Sequence, residues 1–423
     1  VTPTSAARRF ALVSFLTWLP TGLYIAPMVL LMLDRGLGVG TIAAITVAYS
    51  VTVAVLELPT GGLADVLGRR VVLTAAAIAS LLGLLALGLA ETVALFAVSS
   101  VLRGIARALG SGPAEAWFVD TVHASAGPDA DLGHGLARGE AAGSAALAVG
   151  TIAGGVIPLL IGGGQALAVP VLIAAGVEVV RLIVTAVGLP EPRRARLTAA
   201  SVLQGIPGTV AAGLRLALRD RVVGRMLAVT GMVGVALATI ELLTPVWMAT
   251  LTGSTEAAGF AYAVVAAAGF AASALGSYLS APVGRRFGSP GRAAAAGITV
   301  SAVSLVLLAG STWLSGLPGI VMAGLAYSLM FVGLGVSTPA QGQLVHARVA
   351  AGERATVLSV ESLALQFAGA GGAMALGFLA GRTGPVAAFA VAAVCLGACV
   401  PLLRGLTHTA DPQREPAAVP VLH

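Results

Sequence analysis

Eight charged residues stand inside long apolar runs of this chain: Glu57, Arg103, Arg107, Glu115, Glu178, Arg181, Glu241 and Glu361. Such charges are costly and face a water-filled cavity or an opposite charge. A carboxyl group moved between surroundings can take up and release a proton, because burial disfavours its charged form and a nearby guanidinium favours it. Glu57 lies in ELPTGG, where Pro59 loosens a helix end near Asp65 and Arg69. It is a gate or coupling candidate. Glu115 follows Arg103 by about three turns and could pair with arginine, take a proton or contact a cationic solute. Glu241 lies in ATIELLTPVW, where Pro245 bends the helix and Trp247 anchors the membrane interface. Glu361 lies in SVESLALQF, with Gln366 nearby. For each acid, satisfaction by helix packing is the alternative. Arg103 and Arg107 could hold an anionic solute, brace the packing, or pair with Glu57, Glu115 or Glu178, which the sequence does not rank. Glu178 and Arg181 are three apart on one helix face and should form a local ion pair.

The elements that must position these charges are membrane spans. The chain has 423 residues, 57% hydrophobic and 10% charged, with a mean hydropathy of +0.97. A soluble domain carries about 25% charged residues, so a cytosolic enzyme, a disulfide scaffold and a disordered regulator are excluded. Continuous apolar runs argue against a porin-type barrel. Runs long enough to span, about 20 residues each, occur at 10–33, 41–60, 71–90, 93–119, 136–160, 167–189, 226–250, 257–281, 293–312, 318–345, 355–380 and 385–406. The first reads as a span and not as a cleaved signal peptide. All 24 basic residues are arginine. With Ala/Gly richness and Val at position 1, this suggests a GC-rich bacterial genome and a GTG start. With the N-terminus inside, 19 of the 24 arginines fall at the cytoplasmic side and only Arg35 and Arg382 outside. The expectation is a multi-pass protein of the cell membrane with both termini cytoplasmic. The net charge of +6 is explained by this placement and does not imply nucleic acid.

The expected organisation is an N-terminal six-helix bundle (1–189), a cytoplasmic linker (190–225), a C-terminal six-helix bundle (226–406) and a disordered tail (407–423). In the linker, Arg215 and Arg219 with Leu214, Leu218 and Val222 suggest a basic amphipathic helix on the inner leaflet. After span two the sequence reads GGLADVLGRR, and after span eight SYLSAPVGRR, an offset of 216 residues. SGPAEAW at 111–117 is echoed by STPAQGQ at 337–343. Two six-span halves in this order are the repeat of a carrier that binds its solute near the midplane.

The sequence thereby resembles the major facilitator superfamily. The residues Gly61, Leu63, Ala64, Asp65, Gly68, Arg69 and Arg70 match its signature between spans two and three, G-x-L-A-D-x-x-G-R-[KR]. Glycines permit the tight turn, Asp65 can sit at a helix N-terminus, and Arg69 can pair with Asp120 at the end of EAWFVD. The resemblance implies an outward-open latch built from Gly61, Asp65, Gly68, Arg69, Arg70 and Asp120. It should be asymmetric, because Ala281 stands at the position equivalent to Asp65. Arg103 resembles the family's span-four arginine in R-x-x-x-G, with Arg107 replacing the glycine. Gly150, Gly154 and Gly155 in GTIAGG resemble the antiporter signature G-P-x-x-G-G with Thr151 for proline, and suit close helix packing.

The implied fold is an all-α membrane protein of twelve transmembrane helices in two pseudo-symmetric six-helix bundles. The implied function is proton-coupled efflux of small organic molecules, drugs or antibiotics among them, by alternating access. The alternative is proton- or ion-coupled uptake of a sugar, organic acid or peptide. The expected partners are a small-molecule substrate, protons and the lipid bilayer, in a monomer, with no cofactor and no metal. Trp18, Tyr24, Tyr49, Trp117, Tyr262, Phe270, Tyr327 and Phe331 are candidate pocket aromatics or packing residues. Without lysine there is no phosphate-binding loop of the G-x-x-x-x-G-K type, and no metal or hydrolase pattern occurs. Cys395 and Cys399 read as packing residues, and the chain reads as no enzyme.

Overall fold

The computed structural model describes residues 2–127, 130–190, 220–346, 354–404 and 406. The expected linker helix and the tail from 407 lie outside these residues. So does the side chain of Asp65, while the backbone of Gly61 and Asp65 is described. Among the described residues the secondary structure is helical throughout, with twelve helical segments long and apolar enough to cross a membrane.

Span one is α1 (Pro3–Ile25) continued by α2 (Pro27–Asp34). Span two is α3 (Val39–Leu67) and span three α4 (Arg69–Gly88). Span four is broken into α5 (Val93–Gly110) and α6 (Pro113–Ala126). Spans five and six are α7 (Gly133–Ile161) and α8 (Ala168–Gly188). The second half holds α9 (Arg221–Thr252), α10 (Thr255–Phe287), α11 (Pro290–Gly310), α12 (Gly316–His346) and α13 (Arg354–Thr383). Span twelve is α14 (Pro385–Gly397) with the short α15 (Val400–Leu403). Strict up-and-down alternation puts the helix ends carrying Arg8, Arg9, Arg69, Arg70, Arg285, Arg286, Arg292 and Arg404 on one face, the Arg-rich face. Arg35 and Arg382 lie at the other.

The packing repeats with a period of six spans. Helix α1 packs on α7 as α9 packs on α13, and α3 on α5 as α10 on α12. Likewise α4 packs on α8 as α11 on α14. The halves meet along α3 with α13 and along α7 with α10, again an equivalent pair. This is the expected pair of six-helix bundles.

Glycine makes the tightest of these contacts. A Cβ on Gly22 would lie 2.6 Å from the Leu147 carbonyl oxygen and 2.8 Å from the Gly150 Cα, both backbone atoms. The mirrored contact in the second half joins Gly234 to the backbone of Leu365, with Gly369 beside it. Gly22→Leu should therefore force α1 and α7 apart and cost more than about 3 kcal/mol. Gly176→Leu, with nothing within 4 Å of the new Cβ, should be harmless. Thermal unfolding of both variants in detergent checks the pair; equal melting points would disprove the close contact.

Two boundaries differ from expectation. GGLADVL is helical to Leu67, so the turn between spans two and three is confined to Gly68, whose φ of 97° favours glycine. In the second half α10 runs straight through Gly284-Arg285-Arg286 to Phe287, and the turn falls at Gly288 with φ 73°. There Ser289 caps α11, and Pro290 occupies its first turn. The repeat is thus kept in sequence but displaced in structure. Ser111-Gly112-Pro113 breaks span four, with Gly112 at φ 92°. That break went unforeseen, although a Gly-Pro pair is a turn signal.

Candidate functional site: the cavity between the halves

A cavity of about 270 Å³ opens between the bundles at mid-span. Span one supplies Thr21, Tyr24 and Met28, and span two Thr46, Tyr49 and Ser50. Arg103 comes from α5, Glu241 from α9 and Gln366 from α13. Gly234 and Gly369 complete the wall, because small residues there leave room.

Arg103 is the pivotal cation. It is only 6% exposed, yet among the described residues no carboxylate pairs with it. Its Nε donates to Ser99 Oγ at 3.3 Å, one Nη to Ser100 Oγ at 3.2 Å, and the other to Met28 Sδ at 3.0 Å. The guanidinium also lies 5.1 Å from the Tyr24 ring centre and 5.7 Å from that of Tyr49, within cation–π range. Of the alternatives left open by the sequence, the structure has Arg103 on a cavity and not on Glu57, Glu115 or Glu178: two serines, a thioether and two aromatic faces hold this charge. The serines were legible, since Ser99 and Ser100 precede Arg103 by four and three residues and share its helix face. Met28, from another helix, gave no signal.

Arg107 lies one turn further along α5, exposed, with its guanidinium 5.6 Å from the Trp18 ring centre. It lines a second hollow that shares Thr21, Tyr24, Tyr49 and Arg103 with the first. That hollow ends on Glu178 and Arg181. Arg181 Nε donates to Glu178 Oε2 at 2.6 Å, and the Ser80 hydroxyl to Glu178 Oε1 at 2.8 Å. The Thr17 hydroxyl accepts from Arg181 at 3.4 Å.

Glu241 is exposed on the cavity wall, and among the described residues it has no hydrogen bond or ion pair. Pro245 lies inside the same helix and has no N–H to give to the Glu241 carbonyl. The other acids lie elsewhere. Glu57 Oε2 accepts from the Ser362 hydroxyl at 2.7 Å, a bond between the halves. Glu361 is half-buried beside it on α13. Glu115 is exposed in the first turn of α6, a favourable place for an anion, and lines neither hollow.

At the Arg-rich face Arg69 Nε donates to Asp120 Oδ2 at 2.9 Å, joining the start of α4 to α6. Arg70 is exposed beside it. Gly150 and Gly154 face the backbone of α1, with Leu19 O and Leu23 O at 2.7 and 2.4 Å from their would-be Cβ atoms. Gly155 instead faces the second half, at Gly259 O and the Ala263 Cβ.

The aromatics divide. Trp18, Tyr24 and Tyr49 reach the hollows. Trp117 is 1% exposed and donates its indole N–H to Pro190 O at 2.9 Å, beside the stacked Phe10 and Phe118. Tyr262, Tyr327, Phe270 and Phe331 form a packed cluster between α10 and α12. Trp247 is buried, which corrects its expected place at the membrane interface. Among the described residues no His, Cys, Asp and Glu group could hold a metal ion.

A cation and an acid thus stand on opposite halves of one hollow. Comparisons with known proteins bear on the fold and the family. The fold of the nucleoside transporter NupG superposes with a TM-score of 0.74 at 12% identity, over 94% of this chain and 99% of that one. The peptide transporter POT, solved with sulfate, gives 0.73 at 15% identity, over 94% and 93%. No curated protein sequence matches the chain significantly. The sequence profile described as Major Facilitator Superfamily matches residues 10–334. With twelve spans, paired bundles and a central hollow, the chain is a multi-pass membrane transporter belonging to the Major Facilitator Superfamily.

Proposed function

We propose that this chain is a proton-coupled antiporter that exports small organic molecules, drugs, antibiotics or metabolites among them, by alternating access. The observation that carries the reading is Glu241, an acid exposed to the cavity without a fixed counter-ion, in the half opposite Arg103. A carboxylate free of a permanent partner can exchange a proton for a solute contact. Its place on a proline-containing helix suits a group whose surroundings change. Export is supported by the resemblance of Gly150-Thr151-Ile152-Ala153-Gly154-Gly155 to the antiporter signature. In this reading the Arg-rich face is cytoplasmic, the protein resides in a bacterial cell membrane, and residues 1–189 and 226–406 move as two bodies.

A second reading is uptake of an organic acid or peptide. It is favoured by Arg103 and Arg107, two cations on adjoining hollows. The nucleoside and peptide carriers of the same fold accord with it. Inside-out membrane vesicles holding a pH gradient, challenged with drugs, dyes, organic acids and dipeptides, separate the two. Compound-dependent dissipation of the gradient that requires the protein supports export. Gradient-driven accumulation in right-side-out vesicles supports uptake, and no flux of any compound in either defeats both.

Arg69 and Asp120 act as the latch at the Arg-rich face in this proposal. Arg69→Ala and Asp120→Ala should each slow turnover while sparing substrate affinity. The double variant should be no worse than the slower single, a coupling of about 1 kcal/mol. Strictly additive losses in transport rate would remove the latch.

A further inference from the structure

The outer wall of the second half carries a groove between α11 and α14. Ala302, Val303 and Val306 line one side, and Ala393, Val394 and Gly397 the other. Its floor is made of small residues: Ala302 and Ala393 are buried, and a Cβ on Gly397 would meet only the Ala302 Cβ, at 3.7 Å. Its rims are apolar and open, with Val303 50%, Val306 58% and Val394 72% exposed. From Arg292 to Val306 the groove runs about 21 Å along α11. That is more than the roughly 15 Å depth of one leaflet's hydrocarbon, half the bilayer core.

At the Arg-rich face the groove continues, through Thr299 and Arg404, into a hollow flanked by Arg292 and Arg404. Both arginines are exposed, and among the described residues neither has an acidic partner. Arg292 gives one weak bond, at 3.4 Å, to the Phe287 carbonyl. It also stands in the first turn of α11, where the positive end of the helix disfavours a cation. Two guanidiniums and a helix N-terminus around one hollow call for an anion.

We infer that the groove between α11 and α14 binds an anionic phospholipid, its phosphate held between Arg292 and Arg404 and an acyl chain lying along Ala302, Val306 and Val394. Apolar length and positive end match the two parts of such a lipid, and basic pockets between spans are a known type of headgroup site. The site is remote from the central cavity and does not depend on the transport reading.

The test uses the full chain in detergent, titrated with phosphatidylglycerol or phosphatidylcholine of identical acyl chains and read by native mass spectrometry. Phosphatidylglycerol should be retained about tenfold more strongly, a difference that two surface arginines can supply. Arg292→Gln with Arg404→Gln should abolish the preference. Gly397→Leu, which fills the groove floor, should weaken retention of the lipid. Equal retention of both lipids by the unaltered protein overturns the site, as does a preference that survives the double substitution. Glycerol phosphate competing as well as the whole lipid would also overturn it, leaving a simple phosphate site. Melting points in phosphatidylcholine, unchanged by the substitutions, exclude misfolding as the cause of a loss.

Discussion

Glu241→Gln should abolish proton-driven transport while leaving downhill exchange of the same solute near its original rate. The substitution keeps the shape and hydrogen-bonding reach of the side chain but removes its titration. Glu241 is exposed to the cavity without a fixed counter-ion, so no structural pair is broken and the fold should persist. In proteoliposomes with one pH unit across the membrane, the unaltered protein could sustain a solute gradient of about tenfold. The glutamine variant should sustain none, yet equilibrate labelled solute between the two sides. Arg103→Gln should differ by losing both, because it takes away a binding charge. Gradient-driven transport that survives in Glu241→Gln would end the proposed coupling role.

The second large effect concerns stability. Glu178→Ala should lower stability by about 3–5 kcal/mol, since removing one member of a buried pair strands the other. The side chains of Arg181 and Glu178 are 5% and 2% exposed. The Ser80 hydroxyl would lose its acceptor as well. Replacing both Glu178 and Arg181 by Leu should restore most of the loss, because apolar packing substitutes well for a buried ion pair. Thermal unfolding of single and double variants decides it. A double variant as unstable as the single would mean that the pair is irreplaceable in this packing.

Much of the fold was legible because twelve apolar runs and the asymmetric placement of arginine are one-dimensional signals. The Arg69 and Asp120 contact was reachable too, since a motif named one partner and a helix end the other. The cavity was not. Arg103, Glu241 and Gln366 become neighbours on one hollow only through packing between halves, and no local pattern pairs residues so far apart. The same holds for Glu57 and Ser362, 305 residues apart. Acids at helix depth look alike in a sequence; water access and a free carboxylate distinguish Glu241 from Glu57, and both are properties of the packed bundle. The sequence also misplaced the second turn, because Gly284-Arg285-Arg286 copies the letters of Gly68-Arg69-Arg70 without the positive φ.

The contacts between the halves near the Arg-poor face have a mechanical consequence. Gly155 lies against Gly259 and Ala263, and Gly377 against Ala43. In the alternating access proposed above, surfaces so close would serve as the fulcrum of a lever. A tilt of about 10° about such a point would displace the opposite ends of the helices, roughly 30 Å away across the core, by only about 5 Å. That is close to one helical pitch. Toward the far end, among the described residues, the Ser362 hydroxyl donates to Glu57 across the two halves, a bond that would have to part. A side chain added at the fulcrum would therefore act as a wedge, biasing the tilt itself.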